Sequence, residues 1–267
     1  SYLLSGTAAL IDKILLKNRV PDPTVLVFYT GILSLGVFVF APFGFTIPNA
    51  KVLSTALVAG IVSLVGLYFF YRALTASDTS RVVPILSAFI PLFIVLLIYA
   101  RTGRFPGTLE LKTLSLFIVG SLFLGFKKPK LRDAIHIKMV FLTLLAAFFF
   151  AIYFYLLKTI FDALPFFPGL IWSRLGAFLG GVLLFFIPRV RKKVFTLSSR
   201  APQGSLMLVV TNKIVGALGL IALSYAIKLG PVGIINSLRG LENIFIFVGA
   251  LLLSIFLLPK TNIFSLS

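Results

Sequence analysis

The sequence predicts an all-α polytopic membrane protein, and three observations carry that reading. Apolar runs of about 18 residues or more recur along the whole chain, the length that crosses a hydrocarbon core as a helix. The runs do not alternate polar and apolar positions as barrel strands would, and lipid offers no partner to open backbone, so helices are the remaining form. The cations lie mainly in short links between the runs, where loops on the cytoplasmic side carry them. The net charge of +18 on a chain with 29 Phe is therefore loop charge, and nucleic acid is not expected as a partner. With no Cys, disulfides, thiolate chemistry and cysteine metal sites are excluded.

Nine apolar segments follow one another. The first, 3–16, is interrupted by Asp12 and Lys13 and closed by Pro21 and Pro23. The second, 24–42, runs to a proline, and Pro48 precedes the third, 53–74, which carries Gly60, Ser63 and Gly66 at helical spacing. Small residues at that spacing suit close helix contact. Asp78 and Ser80 are expected to cap the fourth, 82–100. The fifth, 109–126, ends at the basic stretch "KKPKLRD". The sixth is 138–160. The seventh, 166–188, is bounded by Pro165 and Pro188 and followed by "RVRKKVFTLSSR", read as a basic connection. The eighth, 205–228, carries Gly216 and Gly219, and the ninth spans 232–258.

The chain also repeats itself. "ILLKNRVPDPTVLVFYTGILSLGVFVFAP" from Ile14 is similar to "YLLKTIFDALPFFPGLIWSRLGAFLGGVLLFFIP" from Tyr155. "GLYFFYRALTASDTSRVVPIL" from Gly66 is similar to "GLIALSYAIKLGPVGIINSL" from Gly219. Two matches in the same order predict a duplication, with residues 1–130 as one five-helix unit and 131–267 as the other. An odd number of spans turns the second copy upside down, the arrangement of many secondary transporters, whose site lies near the midplane between the halves. The second unit shows only four segments, so a further span of about 20 residues is expected beyond Ser267.

Residues 71–97, "YRALTASDTSRVVPILSAFIPLFIVLL", and 223–253, "LSYAIKLGPVGIINSLRGLENIFIFVGALLL", resemble the drug/metabolite transporter superfamily, EamA type. Pro91 fits the fourth helix of the first half, and Leu241-Glu242-Asn243 that of the second, with Asn243 where the family usually has Pro. The resemblance covers nearly the whole chain. It implies export or import of small metabolites, amino acids or drugs through a multi-pass protein of the cell membrane, with no bound cofactor or ATP.

Charged residues inside the spans are the candidate site. If the last span begins at Val232, Arg239 lies roughly 11 Å deep and Glu242 roughly 15 Å deep. Arginine can snorkel from that depth, but glutamate cannot. Their i,i+3 spacing puts both on one helix face, either as a buried structural pair or as cavity lining, and Asn236 and Asn243 extend the same stripe. Lys213, beside Asn212, lies roughly 12 Å from the start of its span. Asp12 either lines the cavity or meets a cation on a neighbouring helix, and Tyr71 offers a hydroxyl. Arg174 reads as an interface anchor and His136 as a solvated loop residue. The matching positions of the first half, Ala59, Gly60, Leu86 and Phe89, are uncharged.

The functional expectation is therefore a secondary transporter whose substrate is a small, anionic or zwitterionic metabolite. Asp12, Tyr71, Asn212, Lys213, Asn236, Arg239, Glu242 and Asn243 line its path. Glu242 or Asp12 is a candidate carrier of a coupling proton, and a homodimer is compatible with the pattern. A lipid or lipid-linked sugar carrier of the same fold is the alternative. A membrane enzyme is disfavoured, because the seven acids form no cluster suited to metal or acid–base work. The loops richer in Lys and Arg are expected in the cytoplasm, which places the N-terminus outside.

Overall fold

The computed structural model describes residues 1–103, 134–200 and 204–246, with scattered positions from 105 to 120 and residue 248. All regular structure among them is helical. The helices are α1 (Tyr2–Asn18), α2 (Pro23–Leu33, continuing as a 3₁₀ segment over Ser34–Phe43), α3 (Ala50–Ala76), α4 (Thr79–Thr102), α5 (Ala134–Ala163), α6 (Phe166–Phe186), α7 (Pro188–Arg200), α8 (Ser205–Leu229) and α9 (Val232–Ser237). Six of these helical stretches, α2 with its 3₁₀ extension, α3, α4, α5, α6 and α8, are long and apolar enough to cross a membrane. The chain is thus a multi-pass helical protein by length and composition. Most of the fifth predicted span, the stretch from 121 to 133 and the chain from 249 onward lie outside the described residues.

Local chemistry accounts for the ends and bends. Asp22 caps α2, its carboxylate accepting from the Thr24 N–H at 2.9 Å, with Pro23 in the first turn. Thr30 and Ser34 hydroxyls donate back to the Leu26 and Thr30 carbonyls, each at 2.8 Å, a pattern that bends helices and precedes the tightening to 3₁₀. Asn49 caps α3 through the Val52 N–H at 2.9 Å. Asp78 stands at the N-cap of α4 but makes no capping bond, and Ser80 lies inside the first turn. The Asp78 carboxylate is instead 3.8 Å from Lys13 Nζ, which also donates to the Leu74 and Ser77 carbonyls at 2.7 and 2.8 Å. That ammonium already satisfies carbonyls at the end of α3.

The structure departs from the sequence reading at two places. The segment 189–200, read only as a basic connection, forms a helix of its own, α7, because Val190 and Val194 sit one turn apart and both bury. The ninth segment is not one continuous helix. It breaks at Leu238–Arg239 and resumes over 240–246.

The broadest packing is of α3 against α5 and α6, of α4 against α5, and of α1 against α8. At the α3–α6 crossing the backbones nearly touch. A Cβ on Gly60 would overlap the Ala177 nitrogen and the Ser173 carbonyl, and one on Gly176 would overlap Leu57 backbone. Between α2 and α6, a Cβ on Gly31 would lie 2.7 Å from Gly181 Cα. The obstacles are backbone, so relief requires moving a helix. Gly60→Val should therefore destabilise the protein by about 3 kcal/mol or prevent its folding. Gly216→Ala should be tolerated, because its Cβ meets only Ala8 Cβ at 3.7 Å. Denaturant titration of both variants in detergent checks the contrast.

Helix α7 is pinned by Lys193, whose Nζ lies 2.7 Å from the Asp22 carboxylate. Burial alone would push the Asp22 carboxyl up, but hydrogen bonds from Lys193 and Thr24 outweigh it and hold it below the ordinary aspartate range. A carboxyl lowered by folding stabilises the fold above its unfolded value and loses that contribution as pH falls through its folded one. Asp22→Asn keeps the cap and removes the charge. It should be less stable than the wild type at neutral pH, and the two should converge below about pH 4. Thermal unfolding across pH tests this.

Candidate functional site

Seven of the eight predicted site residues are buried and Lys213 is partly buried, and the structure sorts them into two groups, one closely hydrogen-bonded except at the Asn212 Oδ1 and one largely unpartnered. In the first, Asp12 on α1 meets Lys213 and Asn212 on α8 and Tyr71 on α3. Lys213 Nζ lies 2.7 Å from Asp12 Oδ1 and donates to the Tyr71 hydroxyl at 2.5 Å, 5.0 Å from the centre of that ring. Asn212 donates to Asp12 Oδ1 at 2.8 Å and to the Ala8 carbonyl at 3.3 Å. Tyr71 donates to Asp12 Oδ2 at 3.1 Å. A salt bridge this closely bonded has little left to offer an anion. The Lys213 ammonium is engaged by Asp12 and Tyr71. Of the two readings open for Asp12, the cation on a neighbouring helix is the one realised.

The second group lies on the broken helix. A regular helix would carry the Arg239 N–H to the Ile235 carbonyl. Here that N–H reaches only Asn236 O, at 3.2 Å, and the Leu241 and Glu242 N–H groups likewise bond three residues back. The Tyr2 hydroxyl donates to the released Ile235 carbonyl. Asn236 Nδ2 donates to the Val232 carbonyl at 2.9 Å and the Ser237 hydroxyl to that of Ile234 at 2.7 Å. Side-chain competition of this kind, followed by Gly240, weakens the helix where it breaks.

At the break, Arg239 Nε and Glu242 Oε2 approach to 3.5 Å with side chains 10% and 7% exposed. The pair lacks hydrogen-bond alignment, and both atoms are left without a partner. So are both polar atoms of Asn243 and the Asn236 Oδ1. The Arg239 guanidinium stands 5.3 Å from the centre of the Phe154 ring. On the neighbouring residue, Tyr153, the hydroxyl accepts from Arg174 Nη2 at 2.5 Å. Arg174 thus turns inward and is not an interface anchor, and α5 carries a guanidinium against each of two consecutive aromatic rings. Tyr2, Tyr153 and Phe154 gave no clear signal in sequence, since aromatic residues in apolar helices usually pack.

Gly6 on α1 faces Glu242, whose carbonyl would lie 3.4 Å from a Cβ there. Asp12 is six residues further along α1, about 9 Å. The paired group therefore lies nearer the face where α1 and α3 end, and the unpartnered group lies deeper. On the opposite face a cavity of about 300 Å³ is lined by Ile98, Tyr155, Lys158, Asp162, Val232 and Ile234, among others. Its lysine is paired with Asp162 at 3.0 Å. From Ile234 the chain runs five residues, about 7 Å, to Arg239. Neither Lys213 nor Glu242 borders this cavity.

No family model and no curated protein matches the chain. A solved structure described as "Crystal structure of protein" is similar over 96% of this chain and 88% of its own length, with TM-score 0.59 and 16% sequence identity. That likeness concerns the fold alone.

Proposed function

We propose that the chain is a secondary transporter of the EamA type, moving a small metabolite with an anionic or zwitterionic head across the cell membrane by alternating access. One observation carries this reading: Asn236, Arg239, Glu242 and Asn243 are buried at a helix break with polar atoms that nothing bonds. Each such atom costs about 1–3 kcal/mol. A solute bringing an acceptor to Arg239 and Asn243 and a donor to Glu242 removes that cost. Discontinuous helices at mid-membrane are where transporters of inverted-repeat design hold substrate.

The helix contacts support the repeat. With α1, α2, α3 and α4 matched to α5, α6, α8 and α9, the contact of α1 with α8 mirrors that of α3 with α5. The broad contact of α3 with α6 has a slight counterpart in that of α2 with α8, while α2 meets α6 and α4 meets α9. In this reading Asp12, Lys213, Tyr71 and Asn212 close the lysine-rich, cytoplasmic face, and the cavity beside α9 is the vestibule of the other. A proton on Glu242 serves as the coupling ion.

Thermal unfolding of the full chain in detergent with matched zwitterionic, anionic and cationic solutes tests the proposal. A zwitterion or anion should stabilise the protein and exchange across proteoliposomes. Stabilisation by cations alone, or by lipid-linked sugars alone, would overturn it.

A further inference from the structure

Helix α7 carries none of the candidate site residues, yet its surface is ordered. Val190 and Val194 bury against α6 and α2. At 100° per residue, Arg189, Lys192 and Lys193 form one continuous face, and Arg191 and Phe195 flank the apolar edge. All five are exposed. Lys193 is tied to Asp22 at 2.7 Å, but among the described residues no ion pair engages Arg189, Arg191 or Lys192. Three cations within about one turn repel one another unless something supplies negative charge.

Position says what supplies it. Only Ile187 separates α7 from α6, whose last residue Phe186 is 75% exposed, and Phe195 is 62% exposed with its ring against Phe185. Exposed phenylalanines at the end of a spanning helix face acyl chains, so α7 begins where hydrocarbon gives way to headgroups. A short helix with a basic face and an apolar edge at that level lies in the interface plane. The link between the 3₁₀ segment and α3, residues 44–49, has no charged side chain.

We propose that α7 is a docking helix for anionic phospholipid headgroups, bound by Arg189, Arg191 and Lys192 with Phe195 in the acyl region. The bound lipid braces α7 against α2 and α6, the helices on which it packs. This holds whatever solute the bundle carries.

The test titrates the full chain in detergent with short-chain phosphatidylglycerol, phosphatidylcholine, inorganic phosphate or a single-stranded RNA while following thermal unfolding. Phosphatidylglycerol alone should raise the midpoint, and added salt should weaken the effect. Each cation near an anionic surface changes affinity about fivefold, so R189Q/R191Q/K192Q should raise the half-effect concentration roughly a hundredfold. Lys192→Gln alone should raise it about fivefold, which covers a triple variant that fails to fold. Because the chain has no Cys, Phe195→Cys takes a single nitroxide. In phosphatidylglycerol vesicles, oxygen should reach it more readily than a water-soluble nickel complex. An unchanged response in the Lys192→Gln and triple variants, an equal shift from inorganic phosphate or a single-stranded RNA, or a label that reports bulk water would each overturn the proposal.

Discussion

Lys213→Ala is expected to cost about 3–5 kcal/mol of stability, because it leaves the Asp12 carboxylate buried and uncompensated. The remaining partners of Asp12, Asn212 and Tyr71, are neutral donors and cannot replace an ammonium. Asp12→Ala should cost a similar amount for the mirror reason. Tyr71→Phe, which removes one hydroxyl, should cost about 1 kcal/mol. The double variant Asp12→Leu with Lys213→Met should recover most of the loss, since a buried pair exchanged for apolar groups of similar volume is often neutral or better. Denaturant titration in detergent gives these four values. Transport should not recover with stability. If the four residues close one face and part during the cycle, an apolar plug that never opens on charge should leave solute exchange at least tenfold slower than wild type. A double variant that exchanges solute at the wild-type rate would show that the pair is structural only.

Legibility in the sequence followed the cost of being wrong about each residue. The spans were legible because a membrane tolerates no polar interruption without a reason, and α3, α4, α6 and α8 fall within a few residues of their predicted bounds. Asp12, Lys213, Arg239 and Glu242 stood out for the same reason. Which of them pair was not legible. Asp12 and Lys213 are 201 residues apart, and no local rule joins them. The break at Leu238–Arg239 was written in the letters "NSLRG", but Asn, Ser and Gly within an apolar run also suit close packing. Only the backbone shows that their side chains bond carbonyls of the preceding turn. The helix α7 was hidden by its charge, which drew attention from Val190 and Val194.

Asn243→Leu separates the transport reading from a structural one most sharply. Neither polar atom of Asn243 has a partner, and the residue is 5% exposed. If the amide serves only the fold, it serves it badly, and leucine, of similar volume, should be neutral in function. If the amide waits for a solute, leucine should raise the stability of the empty protein by about 1–3 kcal/mol by removing an unsatisfied group. It should also reduce solute affinity about tenfold or more, the loss expected when a buried polar contact disappears. Stability up and binding down in one variant is the signature of a site maintained at the fold's expense. Glu242→Gln tests the neighbouring position. It keeps shape and removes titration, so proton-driven uptake should be abolished while solute exchange at equal pH persists. Arg239→Leu with Glu242→Leu removes the charges without stranding either. It should fold, because the pair is poorly aligned and contributes little to the fold, and its solute affinity should fall by at least about thirtyfold. Full transport by that double variant would make Arg239 and Glu242 a buried pair and nothing more.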